Sequence, residues 1–169
     1  GGAALKANTT GTENTALGYQ ALTANTTGVN NTAVGYQSLQ VSTTSRFNTA
    51  VGMQSLRLTT AGEYNTALGY HSLTTNTTGH SNTGIGFRAM QVNTIGIHNT
   101  AIGYESLKAN TTGNYNTSVG GFSLKSNTTG ISNTAIGYQS QHNNTVGTKN
   151  TSLGAFSSVN SSGGIQNTS

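Results

Sequence analysis

Along the chain an aliphatic residue recurs at Leu17, Val34, Val51, Leu68, Ile85, Ile102, Val119, Ile136 and Leu153, each 17 residues after the last. A second file, Leu22, Leu39, Leu56, Leu73, Met90, Leu107 and Leu124, follows it five residues later. The polar residues keep the same period. An Asn-Thr pair opens every copy, at Asn14, Asn31, Asn48, Asn65, Asn82, Asn99, Asn116, Asn133, Asn150 and Asn167, with no insertion anywhere. With that Asn as column 1, the consensus is Asn-Thr-Ala-(Leu/Val/Ile)-Gly-Tyr-Gln-Ser-Leu-x-x-Asn-Thr-Thr-Gly-x-x. The two aliphatic files are then columns 4 and 9. Self-similarity of this kind marks a solenoid, in which each repeat stacks on the next.

Column 5 is glycine from Gly18 to Gly154, and column 15 is glycine except at Ser45. Two glycines ten residues apart read as the corners of a coil, where the chain turns and a Cβ would clash. The segments between them, such as Asn99 to Ile102 and Tyr104 to Lys108, have strand length and composition. A helix would lose about 1 kcal/mol at each glycine.

Stacked coils place like columns about 4.8 Å apart, so each column becomes a ladder. Columns 1 and 12 predict asparagine ladders in which each amide donates to its neighbour, and threonine in columns 2 and 13 fits the same scheme. Columns 7, 10, 16 and 17 vary and should face solvent. Column 6 is aromatic at Tyr19, Tyr36, Tyr70, Phe87, Tyr104 and Tyr138. Where it becomes Gly121 or Ala155, a phenylalanine follows one position later, as Phe122 and Phe156, so a ring is needed near that corner.

The fold class that follows is all-β: a parallel β-solenoid, as a β-roll or β-prism, with one coil per repeat and residues 1–169 forming a single array. One coil buries about three apolar side chains at roughly 1.5–3 kcal/mol each, against roughly 1–2 kcal/mol per residue for ordering its backbone. Stability must therefore be collective. Two aliphatic columns and an aromatic one exceed what so small a coil can bury, which points to association with itself, as a homotrimer or an end-to-end filament.

Composition narrows the function. Only 6% of residues are charged, and Cys, Pro and Trp are absent. A net charge of +4 is spread too thinly for a nucleic-acid footprint. No apolar run approaches the roughly 18 residues of a membrane span. Gly1 stands where an initiator Met would, so the sequence reads as part of a longer or processed polypeptide.

The only carboxylates, Glu13, Glu63 and Glu105, lie in columns 17, 16 and 7. The closest two are more than two coils apart, beyond the roughly 5–9.5 Å that paired acid–base catalysis needs, so they read as isolated solvated charges. His71, His80, His98 and His142 occupy four different columns and should not stack, which leaves no convergent zinc set. The expectation is no enzyme, no metal and no cofactor. Lys6, Arg57, Lys108 and Lys125 share column 10 and form an edge able to hold acidic polysaccharide, or simply to keep exposed strands from pairing. Glycosylation sequons occur at Asn8, Asn25, Asn30, Asn76, Asn110, Asn116, Asn127, Asn143, Asn150, Asn160 and Asn167. An inward column 12 would withhold its members from a glycosyltransferase. Column 2 threonines also raise an ice-binding surface, although the usual Thr-x-Thr spacing is missing.

The run Asn99-Thr-Ala-Ile-Gly-Tyr-Glu-Ser-Leu-Lys-Ala-Asn-Thr-Thr-Gly113 resembles the repeat arrays of phage-type and bacterial tail fiber domain proteins, along the whole chain. It is more distantly similar to the shorter head repeats of trimeric autotransporter adhesins. That resemblance implies a fibre three chains wide, outside the cell or on a cell or virion surface, serving attachment. A second likeness is to curlin repeats, through Gly28, Asn31, Ala33 and Gln37 and again from Gly130 to Gln139. It implies an amyloid-like filament of stacked solenoids. Both imply a structural or adhesive extracellular fibre without catalysis.

Overall fold

The computed structural model describes residues 1–158, Gly164 and Thr168. Nine three-residue strands run from β1 (Thr15–Leu17), β2 (Thr32–Val34), β3 (Thr49–Val51), β4 (Thr66–Leu68) and β5 (Thr83–Ile85) to β6 (Thr100–Ile102), β7 (Thr117–Val119), β8 (Thr134–Ile136) and β9 (Thr151–Leu153). They form one parallel sheet in sequence order. Thr15 pairs with Thr32, Ala16 with Ala33 and Leu17 with Val34, and the same register of 17 continues to β9. The protein is an all-β, parallel β-solenoid. A parallel pair needs a crossover, and here the rest of each coil supplies it without a helix.

Each coil holds one strand, not two. The segment from Tyr104 to Lys108 is a turn, because Glu105 (φ 50°) and Leu107 (φ 51°) are left-handed. The same holds at columns 7, 9 and 17 of every described coil, whatever the residue, from Gln20 and Leu22 to Phe156 and Ser158. Such a backbone costs a non-glycine residue roughly 1–2 kcal/mol. What it brings is two consecutive inward side chains, Ser106 and Leu107, an arrangement that the alternation of a strand forbids. The turn is closed by Ser106 N–H donating to Gly103 O (3.4 Å) and Asn110 N–H to Leu107 O (3.2 Å). It is tied to neighbouring coils by Glu105 N–H to Phe87 O (2.9 Å) and Leu107 N–H to Ser123 O (2.9 Å).

The two glycine columns have different reasons. In column 5, Gly52 has φ +127° and an added Cβ would lie 2.6 Å from Gly69 O, so both backbone and space demand glycine. Column 15 has ordinary φ values and is not a left-handed corner. There a Cβ on Gly79 would lie 2.6 Å from Gly96 O and also strike the side-chain oxygen of Asn76. Ser45 obeys the same geometry: its coil carries Ser42 in place of the column 12 asparagine, and the two buried hydroxyls hydrogen-bond to each other.

The interior is narrow. Column 9 leucines from Leu22 to Leu124 and column 3 alanines from Ala33 to Ala135 are fully buried, Leu5 and Ala16 are partly buried, and column 4 points out. The expected asparagine ladders line this core. Asn116, in column 1, is fully buried. Its N–H and Nδ2 both donate to Asn99 Oδ1 (2.9 and 3.1 Å), and Nδ2 also donates to Gly130 O (2.8 Å). In column 12, Asn127 Nδ2 donates to Asn110 Oδ1 (2.9 Å). Threonine hydroxyls of column 13 bond to the next coil, as Thr94 Oγ1 does to Thr111 O (3.0 Å), but those of column 2 turn outward with the strand. Gln141 replaces leucine in column 9 and stays fully buried because its amide donates to Thr134 O (3.0 Å) and Asn150 O (3.2 Å) and accepts from Asn144 (3.2 Å).

Candidate binding surfaces

The sheet presents threonine and aliphatic side chains together, since in each Thr-Ala-aliphatic strand only the middle residue faces in. Leu17 is 62% exposed and Leu153 70%, with Leu68, Ile102 and Ile136 also open to solvent. Column 6 rings border this face. Tyr19 stacks on Tyr36 at 5.8 Å, and Tyr70, Phe87 and Tyr104 form a continuous stack at 5.3 and 4.9 Å. Phe122 bridges the gap left by Gly121, edge-on to Tyr104 (5.1 Å) and Tyr138 (5.9 Å), and Phe156 meets Tyr138 in the same way (5.4 Å). The displaced phenylalanines keep the aromatic file continuous from Tyr70 to Phe156, with tilted rings in place of stacked ones, whereas Met53 separates this run from Tyr36.

A second aromatic file, invisible as a consensus, lies in column 17. Phe47 stacks on Tyr64 (5.0 Å) and His98 on Tyr115 (5.1 Å). His80 and His98 do not stack but meet edge-to-face at 5.4 Å, although they occupy different columns. One coil of rise and one column of offset bring them together. No group of three metal-ligating side chains exists among the described residues.

Columns 7 and 10 converge on one edge. Glu105 is only 6% exposed, so it is not the isolated solvated charge its column predicts. Lys108 (2.7 Å), Lys125 (3.0 Å) and Arg88 (3.7 Å) surround its carboxylate. Burial alone would raise the Glu105 pKa, but the hydrogen bonds and charges of Lys108 and Lys125 outweigh it and hold the carboxyl below its ordinary value. Two members of the expected anion-contact column are thus engaged with a carboxylate from their own chain. Arg57 donates to Gln40 Oε1 (3.1 Å), and Lys6 stands exposed, apart from the others. His71 is pushed below its ordinary value by burial first, then by Arg88 and Arg57. Glu63 pairs with Arg46 (3.4 Å) beside an open groove lined by Ala61, Tyr64, Thr78 and His80.

The sequons divide sharply. Asn25, Asn76, Asn110, Asn116, Asn127 and Asn150 are buried in the ladders, their amides donating inside the chain, so the folded coil does not present them for glycosylation. Asn8, Asn30 and Asn143 are exposed. Asn160 and Asn167 lie outside the described residues. Compared with protein-family models, curated proteins and solved structures, the chain finds no match.

Proposed function

We propose that this solenoid is a non-catalytic segment of an extracellular or cell-surface fibre, built by lateral association of identical chains through the face of columns 2, 4 and 6. One observation carries this reading. Inward columns keep their residues because packing and hydrogen bonding require it, but columns 2 and 4 point outward and remain threonine and aliphatic through nine coils. Columns 16 and 17, also at the surface, have diverged over the same coils. A constant outward file with no role inside its own coil answers to something outside it. An apolar ladder of this length is a liability in water unless another surface covers it. Three copies turned inward about one axis suit a single flat face per chain.

Sedimentation of the purified chain and cryo-electron microscopy test this together. The expected result is a three-chain particle with β1–β9 facing the axis, converted to a single folded chain by Ile102→Glu with Ile136→Glu. A stable lone chain with the sheet in water refutes lateral association. One chain per cross-section, joined end to end, favours the curlin-like filament. A water-ordering surface is favoured by the outward threonine file alone, and thermal hysteresis of the wild-type chain decides it.

A further inference from the structure

Six consecutive coils each place one basic side chain on the edge formed by columns 7 and 10: Arg57, His71, Arg88, Lys108, Lys125 and His142. Column 10 alone does not show this, because Arg88 and His71 come from column 7 and fill the coils that column 10 leaves as Gln91 and Thr74. Only the tertiary structure reveals the two columns as one file, since Glu105 of column 7 touches Lys108 and Lys125 of column 10.

The charge of this file is not balanced. Four permanent cations share the single carboxylate of Glu105, and Glu13 and Glu63 sit on columns 17 and 16, away from this edge. Arg88 approaches Glu105 only to 3.7 Å, its Nε has no hydrogen-bond partner, and its guanidinium rests over Phe87 at 4.9 Å. Arg57 forms no ion pair among the described residues and is held in place by Gln40. The side chains are therefore anchored by their own chain while three positive charges stay uncompensated.

From this geometry we infer that the edge binds a linear acidic polysaccharide, of the kind carrying one carboxylate per sugar, laid parallel to the solenoid axis. The rungs repeat with the coils at about 4.8 Å, a spacing close to the rise of one sugar in an extended chain, so the carboxylates on the facing side of such a chain stay in register with the coils. Nucleic acid fits less well. Single strands are held by stacking bases on free aromatic faces, and here the faces of Phe87 and Phe122 are already covered by Arg88 and Lys125. The inference goes beyond the fibre reading and holds for the array whether or not chains associate.

Polygalacturonate oligomers titrated into the full chain provide the test, with dextran as the neutral control and oligothymidylate as the competing polyanion. Binding of polygalacturonate, weakening with salt, is expected, and none to dextran. Arg57→Gln with Lys125→Gln should weaken binding about 3- to 30-fold, as two half-buried charge contacts are lost. Arg46→Gln with Lys149→Gln removes the same net charge from columns 16 and 17 and should leave binding unchanged. Equal weakening by both pairs, or tighter binding of oligothymidylate, overturns the inference. Amide chemical shifts of the wild-type chain report independently of any variant: perturbations along columns 7 and 10 support the site, and perturbations on another face overturn it.

Discussion

Replacing Asn99 with alanine probes what holds the coils together. Its side chain makes four hydrogen bonds: Nδ2 donates to Gly113 O (2.8 Å) and Asn82 Oδ1 (3.2 Å), and Oδ1 accepts from the N–H (2.9 Å) and Nδ2 (3.1 Å) of Asn116. Several partners survive the loss. Gly113 O keeps Asn110, Asn82 Oδ1 keeps the Asn99 N–H, and Asn116 Nδ2 keeps Gly130 O. The Asn116 backbone N–H is left buried with no acceptor, which costs about 1–3 kcal/mol, and the remaining bonds contribute about 0.5–1.5 kcal/mol each. The total, about 2.5–7.5 kcal/mol, is at least comparable with that of Leu107→Ala in the apolar core, about 2–5 kcal/mol. At about 2–4 °C per kcal/mol for a chain of this size, the midpoint should fall by about 5–30 °C. Thermal denaturation followed by circular dichroism reads this, with exposed Thr112→Ala as the comparison. If Asn99→Ala is as mild as Thr112→Ala, the asparagine ladder is not a principal source of stability and the reasoning fails.

Gly103→Ala, at φ +131° and with its Cβ 2.7 Å from Gly120 C, should prevent cooperative folding, seen as loss of a sharp thermal transition. Gly113→Ser alone should destabilise, and adding Asn110→Ser should recover part of the loss, following the Ser42–Ser45 coil; a double-mutant cycle with no favourable coupling contradicts the steric account. Because the folded Glu105 pKa is depressed, the folded chain binds fewer protons than the unfolded one. Its stabilisation is full above the ordinary value of 4.5 and is lost as pH falls through the folded value. Glu105→Gln should flatten urea-unfolding stability against pH below about 4.5, and an unchanged slope rules out Glu105 as its source. His71 acts in the same sense from its ordinary value of 6.5 downward, so His71→Gln should reduce the loss of stability on acidification from neutral pH.

The uninterrupted period was enough to establish the parallel register, because a strict repeat lets every backbone partner and every side-chain ladder recur without adjustment. Both asparagine ladders, the column 9 core and the relocated Phe122 and Phe156 rings were legible for that reason. What the sequence could not show was direction. Alternation fails across columns 7 to 9, where left-handed residues such as Glu105 and Leu107 carry no glycine to announce them. That conformation turns a predicted second strand into a corner and puts two neighbouring side chains inside. Within each strand the alternation turns column 4 outward and column 3 alanine inward, although hydrophobicity ranks them the other way. The turn draws columns 7 and 10 onto one edge, so that Glu105 meets cations three and twenty residues ahead, and an offset of one column between coils brings His80 to His98. Periodicity fixes which residues stack, whereas the backbone path within one coil decides which columns become neighbours and which face water.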